Sequence, residues 1–324
     1  MRIVPRPEQQ QKTRRRKRGN ELGFWFFMVF LRMFGLRGAY GLLYIVCLYY
    51  LLFDRPLVSS AVPYITRRFP GCGLVKKRLH VYRLLVGQGK QFIDRYVAIC
   101  GQGVFDIRLK GYQEFVSSIR DSETGGILLT SHVGNWQVAM TALGELGKTV
   151  HLVMSPAENP DLQNMMYPAG QEGRVKIISP QQYLGGIVEM IKVLRKGDVL
   201  SIMGDRRYGA RAVEVSFLGD RAWFPYSAFS LAAAAKCPVV VLRASKTSRY
   251  GYVVDVSNVL HPRYEGRGNK VGQLQPWVQE FVSLIESFVE EHPYECFLFS
   301  DVWKEEADEM SAWTRPFSAG KRGE

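Results

Sequence analysis

Cysteine and histidine are both scarce, with five of each in 324 residues. The cysteines (Cys47, Cys72, Cys100, Cys237, Cys296) are widely spaced and odd in number, with no CxxC pair and no Cys/His grouping at zinc spacing. That pattern excludes a disulfide framework and a structural zinc site as organising devices, and a reduced, cytosolic environment is the simplest reading. Internal repeats are absent, and so is low-complexity composition over most of the chain. Hydrophobic residues at 47% and charged residues at 23% are ordinary globular usage, so a folded body with a sizeable core is expected. The length suits one large domain or two small ones.

Acidic residues are under-represented, giving a formal charge of +13. Residues 1–19 alone hold eight Lys/Arg, including RRRKR at Arg14 to Arg18, against the single Glu8. The other 305 residues hold 35 basic and 29 acidic side chains, an excess of six that is modest for a body of that size. Overall basicity is therefore a weak argument for nucleic acid, and RRRKR lacks interleaved aromatics or a known binding module. No nucleic-acid partner is expected.

A single long apolar run is lacking too. Leu22 to Phe53 is rich in Phe, Trp, Tyr and Leu but carries Arg32 and Arg37, and its longest uncharged run, Gly38 to Phe53, has 16 residues. A spanning helix uses about 20. Three readings stay open: one helix with snorkelling arginines, two short helices in the membrane plane, or a buried helix pair of the core. A cleaved signal peptide fits worse, because no small-residue cleavage site follows before Asp54-Arg55-Pro56. Basic charge beside an aromatic-rich apolar stretch favours a membrane surface, with tail and body in the cytoplasm.

The expected organisation is a basic disordered tail (1–19), a hydrophobic anchoring segment (20–53), a helical lead-in (54–120), an α/β domain (121–310) and a C-terminal tail (311–324). Within the α/β domain, apolar β-rich runs at 127–130, 150–154, 175–178, 199–203, 213–217, 238–242 and 252–256 alternate with helical patterns at 136–146, 181–194, 226–236 and 271–291. Such alternation predicts a mixed, largely parallel central sheet flanked by helices.

The most informative stretch is GGILLTSHVGNWQVAM, where an apolar strand ends at Ser131-His132 and Gly134-Asn135 opens a helix. Ligands and reactive side chains gather at the carboxyl ends of strands in open α/β sheets. On that turn alone, His132 also reads as a capping or packing residue. Four further segments bear on it: GDRRYG (204–209), FLGDRAWFP (217–225), AFSLAAAAKCPVVVL (228–242) and FLFSDVWK (297–304).

Together these segments resemble the lysophospholipid-acyltransferase superfamily, specifically its branch of lipid A biosynthesis (lauroyl/myristoyl) acyltransferases, over roughly Gly125 to Lys304. The family pattern is a histidine followed after four residues by an acidic one, within Ser-His-x-Gly-Asn-Trp-Glu. This chain supplies Ser131, His132, Gly134, Asn135 and Trp136 in register but has Gln137 at the acidic position. Later blocks match Asp205 with Tyr208-Gly209, then Phe217, Gly219, Ala222 and Pro225, then Ala232 to Ala235 and Pro238 to Val240. The Asn159-Pro160 pair lacks the arginine that usually stands near it and is assigned no catalytic role.

The resemblance implies a single acyltransferase domain that moves a fatty acyl chain from an acyl-carrier-protein or CoA thioester to a lipid or lipid-like acceptor. The implied place is the cytoplasmic face of a bacterial inner membrane. His132 is the implied general base, needed to take the acceptor's proton. Gln137 accepts a hydrogen bond but supplies no charge, so Asp205 is the candidate carboxylate, with an ion pair to Arg206 or Arg207 as its other reading. Arg206 and Arg207 are candidates for a phosphate, Phe217, Trp223 and Phe224 for an acyl slot, and Asn135 for substrate binding. The implied partners are an acyl carrier protein, a lipid acceptor and the membrane surface; no cofactor and no metal are implied. The alternative is a catalytically reduced relative that binds acyl carriers or lipids within a biosynthetic complex.

Overall fold

The computed structural model describes residues 21–99, 104–120, 124–142, 147–154, 175–179, 186–207, 211–266 and 268–305. The expected tails, Asn159-Pro160, Tyr208-Gly209, Cys100 and the start of the helix expected at 181–194 lie outside these residues. The chain divides into two compact units, Met1–Val46 and Cys47–Glu324.

Helix α1 (Glu21–Phe53) runs through the apolar segment. Its part from Trp25 to Phe53, 29 residues, is long and apolar enough to cross a membrane. Gly35 leaves helical geometry (φ 63°, ψ −164°), so α1 is two helical segments joined at a break. Trp25, Phe26, Met33 and Phe34 are exposed, as are Leu48, Tyr49, Leu52 and Phe53 of its last turns.

The second unit continues with α2 (Arg55–Arg68) and α3 (Leu74–Ile99). Asp54 caps α2 through a hydrogen bond from the Leu57 amide at 3.0 Å, and the proline at the second helical position needs no donor there. The helical reading of 54–120 is incomplete, because β1 (Asp106–Lys110) precedes α4 (Tyr112–Arg120). β1 is an exposed edge strand, and its mostly polar DIRLK gives little of the apolar signal that marks a strand.

A seven-stranded sheet forms the body, in the order β1-β9-β8-β2-β5-β3-β4. The remaining strands are β2 (Gly126–Thr130), β3 (Val150–Val153), β4 (Val175–Ile178), β5 (Val199–Met203), β8 (Val239–Lys246) and β9 (Gly251–Leu260). All neighbours are parallel except the β8–β9 pair. β2 sits between β8 and β5, and all five of its residues are buried. A strand covered on both faces reads as an unbroken apolar run, which is why GILLT shows no polar alternation.

Successive residues of β2 serve opposite faces. Leu128 clusters with Phe115 and Ile119 of α4 and with Ala139 of α5 (Trp136–Ala142). Leu129 lies beside Gly204 together with Phe281 of α8 (Lys270–Glu291). Helix α7 (Ser227–Ala235) places Phe229 against Phe281, ring centroids 6.1 Å apart. Helix α6 (Ile187–Arg195) buries Met190, Val193 and Leu194.

β6 (Ala212–Phe217) and β7 (Asp220–Pro225) form a separate antiparallel hairpin. Its two turn residues, Leu218 (φ 53°) and Gly219 (φ 78°), both lie in the left-handed region, as a tight hairpin turn requires. Leucine gives no hint of that conformation, and β7 is not among the strands expected from sequence.

α3 is fixed to the sheet by a buried polar network. The fully buried Asp94 carboxylate accepts from Lys246 Nζ at 2.6 Å and from the Tyr252 hydroxyl. Burial pulls the Lys246 ammonium below its ordinary value, and Asp94 pushes the other way. Removing one partner of a buried ion pair strands the other charge. Asp94→Ala is therefore expected to lower stability by about 3 kcal/mol, read as a shift in the denaturant unfolding midpoint of the detergent-solubilised protein.

Candidate active site

Parallel pairing of β2 with β5 sets Thr130 opposite Met203. The loops that leave these two strands, 131–135 and 204–206, therefore start side by side at the carboxyl edge of the sheet. The Gly204 amide donates to Thr130 O at 2.8 Å and ties the loops together. A Cβ at Gly204 would stand 2.8 Å from Leu129 and 2.9 Å from Phe281, so the close approach is reserved for glycine.

Two residues past the paired positions, Asp205 meets His132. Asp205 Oδ2 accepts from the His132 backbone amide at 2.7 Å, and both carboxylate oxygens lie 3.0–3.1 Å from His132 Nδ1. The Asp205 side chain is fully buried while that of His132 is 23% exposed. Burial alone would raise the Asp205 carboxyl, but the His132 ring charge, the two His132 hydrogen bonds and Arg206 together outweigh it and hold the group below its usual value. An ionised carboxylate only accepts, so the hydrogen-bond network places a proton on His132 Nδ1, and in the neutral imidazole the lone pair is then on Nε2.

The histidine loop is gripped from its other side by residues 295–297. Phe297 N donates to His132 O at 2.7 Å, Val133 forms an antiparallel bridge with Cys296, and Gly134 N donates to Glu295 O at 2.8 Å. Gly134 has φ 69°, and a Cβ there would sit 2.2 Å from Ala244 O. Asn135 caps α5, accepting from Val138 N at 3.3 Å and donating to Gln91 O and to the Tyr252 hydroxyl. The histidine is thereby held on a short turn with four neighbouring elements behind it.

His132 opens into a cavity of about 270 Å³. Its polar lining includes His132, Gln137, Arg206, Gln88 and Gln91; Trp136, Leu152, Val153, Met154, Met203, Phe92 and Phe297 supply apolar surface. Three expected site residues thus share one cavity, and Asp205 stands behind the histidine. Among the described residues, Gln137 makes no hydrogen bond to His132.

The other candidates lie elsewhere. Asn135 is buried and engaged in the cap, outside the cavity lining. Arg207 donates to Lys304 O at 2.8 Å. Phe217 and Phe224 are fully buried against each other, and Phe217 stacks on Trp303 at 5.4 Å. Trp223, half-buried on the same hairpin, donates its amide to Val302 O. None of Phe217, Trp223 and Phe224 is among the residues that line this cavity; the Phe217 ring on Trp303 and the Trp223 amide on Val302 O join the β6–β7 hairpin to FLFSDVWK. Sequence reasoning missed Gln88, Gln91 and Phe92 on α3 and Leu152 to Met154 at the carboxyl end of β3. Only the sheet's topology brings these residues to His132.

Glu295 completes the support. Its carboxylate accepts from the Lys246 amide at 3.2 Å and from Gln91 Nε2 at 3.2 Å. Burial pushes it up to about 7, with the Lys246 amide, the Lys246 charge and Gln91 opposing the rise.

A family model described as bacterial lipid A biosynthesis acyltransferase matches residues 105–305. No curated protein matches the chain.

The Glu295 environment sets a pH dependence. The folded protein keeps a proton that the unfolded chain gives up between pH 4.5 and about 7, so this group's contribution to stability is greatest below pH 4.5 and is lost as pH rises through 7. Asp205 works in the opposite sense, its contribution being lost as pH falls through its depressed folded value. In Glu295→Gln the loss is expected to vanish. The stability difference between wild type and variant should then change by about 3 kcal/mol from pH 4.5 to pH 8, measured by denaturant unfolding along the pH series.

Proposed function

The chain belongs to the bacterial lipid A biosynthesis acyltransferase family, and from that premise we propose that His132 is the general base of a thioester-to-hydroxyl or thioester-to-amine acyl transfer. The observation that carries this reading is the buried, ionised Asp205 at Nδ1 of a histidine that faces a cavity. With Nδ1–H held by the carboxylate, Nε2 accepts the proton of the acceptor hydroxyl or amine as that oxygen or nitrogen attacks the thioester carbonyl. The C–S bond then breaks, the new ester or amide keeps the acyl chain, and the imidazolium returns the proton to the departing thiolate. Asp205 stabilises the imidazolium between these two transfers by a charge-assisted bond.

The cavity's two kinds of lining suit the two ends of such a donor. Arg206 offers a guanidinium to the phosphate of a phosphopantetheine arm or of a phosphorylated lipid acceptor. Trp136, Leu152, Val153, Met154 and Met203 give apolar surface for the acyl chain. A covalent cysteine route is disfavoured. Cys296 is the cysteine bridged to the histidine loop, and burial pushes its thiol well above the ordinary value, away from the reactive thiolate.

The donor we propose is an acyl-carrier-protein thioester, because a body with a basic excess suits an acidic carrier. The place is the cytoplasmic face of the inner membrane, supported by the apolar helix Trp25–Phe53 and the RRRKR tail that precedes it. The alternative, a catalytically reduced relative, rests on Gln137, and the pairing of Asp205 with His132 supports the enzyme reading over it.

Two measurements test the reading, both with labelled acyl-carrier protein and membranes containing the protein. His132→Ala is expected to lose about 10² to 10⁴ in transfer rate with fold and membrane association retained; full activity would sink the assignment. Asp205→Asn is expected to approach the same loss, since the comparable acid-to-amide change in a serine-protease triad costs about 10⁴, whereas Gln137→Ala should cost less than about tenfold. The reverse order would move the charge-supplying role away from Asp205.

A further inference from the structure

From Arg55 to Ile93 the chain has no Asp or Glu, while it carries eight Lys/Arg. This stretch forms α2, the corner 69–73 and most of α3. At its apex Leu74 is 82% exposed and Val75 83% exposed, and Leu79 one turn on is 46% exposed. Lys76, Lys77 and Arg78 follow Val75 directly, and among the described residues no acidic side chain pairs with them. Two aliphatic side chains held out in water beside three unneutralised cations call for a partner that is apolar beneath and anionic at its surface.

The corner is built to project. Phe69 stacks on His80, ring centroids 3.9 Å apart, and His80 Nδ1 lies 2.9 Å from the Tyr294 hydroxyl. The Arg83 guanidinium stands over the Tyr294 ring, and Arg68 donates to Val289 O and Glu290 O at the end of α8. These contacts fix the corner to the body and leave Leu74 and Val75 outside it.

We propose that this α2–α3 corner docks on an anionic lipid bilayer, with Leu74 and Val75 inserted below the headgroups and Lys76, Lys77 and Arg78 at the phosphates. Apolar side chains on an amphipathic element bury about 5–10 Å into the boundary layer, and basic residues are drawn to anionic leaflets within a Debye length. Nucleic acid is a poorer match, because Phe69, His80 and Tyr294 are committed to one another and offer no open face for a base. An acidic protein would satisfy the cations, but a projecting apex of two aliphatic residues is suited to a bilayer more than to a protein groove. The contact is separate from α1 and does not depend on the acyl-transfer reading.

The test uses the full chain with a polarity-sensitive fluorophore on Val75→Cys, in a background with Cys72 and Cys100 replaced by Ser; Cys47, Cys237 and Cys296 are buried. Vesicles of phosphatidylethanolamine with phosphatidylglycerol are compared with phosphatidylcholine vesicles, and sedimentation reports whether the chain is bound. The expected result is a blue-shifted emission, quenched by doxyl lipid, on the anionic vesicles and much less on the neutral ones. The same label on Val188→Cys of α6 should not respond. Replacing Lys76, Lys77 and Arg78 by Gln should reduce insertion of the Val75 label about 100-fold, at roughly fivefold per charge, while thermal unfolding is unchanged. A Val75 label that stays in a water-like environment on anionic vesicles overturns the proposal, whether or not the chain sediments with them. A shift produced by an acidic carrier protein without lipid overturns it in favour of a protein-docking surface.

Discussion

A carboxylate with no access to solvent must have its charge answered locally, and Asp205 has His132 for that purpose. Two of its contacts come from one residue, the backbone amide and the ring Nδ1, so the position of the loop and the state of the imidazole are set by the same group. The strand register makes this possible, since pairing of Thr130 with Met203 delivers both loops to the same edge at the same height. The glycines at 134 and 204 follow from it, because each marks a place where backbone or core side chains stand too close for a Cβ.

The histidine loop lies between a fully buried carboxylate, Asp205, and a mostly buried one, Glu295, whose proton affinities are displaced in opposite directions. Asp205 touches a ring able to carry positive charge. Glu295 receives hydrogen bonds from an amide N–H and a glutamine, both neutral donors, while the nearby Lys246 ammonium is bonded to Asp94. Similar desolvation therefore ends in an ionised group on one side and a partly protonated group on the other. The difference is one of partners more than of depth.

Much of the architecture was legible where burial is two-sided. GILLT and VLSIM read as strands because a parallel sheet covered on both faces demands apolar runs, and SHVGNW stood out at the end of one of them. β1 was not legible, since a mostly polar edge strand has no comparable signature, and β7 hid behind a turn that puts leucine in a left-handed conformation. His132 and Asp205 could be singled out from local motifs. The cavity wall from α3 could not, because Gln88, Gln91 and Phe92 sit some forty positions before the histidine and only the fold brings them near. The hairpin aromatics Phe217 and Phe224 pack against each other, and a motif-bearing aromatic that packs looks in sequence like one that lines a site.

The grip of residues 295–297 on the histidine loop has a consequence for biosynthesis. A ribosome makes the strands β2 and β5 well before the clamp, so a nascent chain can have its sheet begun while Gly134, Val133 and the His132 carbonyl still lack their backbone partners. Contacts that join position 132 to position 297 close late and slowly. Assembly of the His132–Asp205 corner is thereby coupled to synthesis of the chain as far as this clamp, and translation that stops short of Glu295 leaves the histidine loop without it.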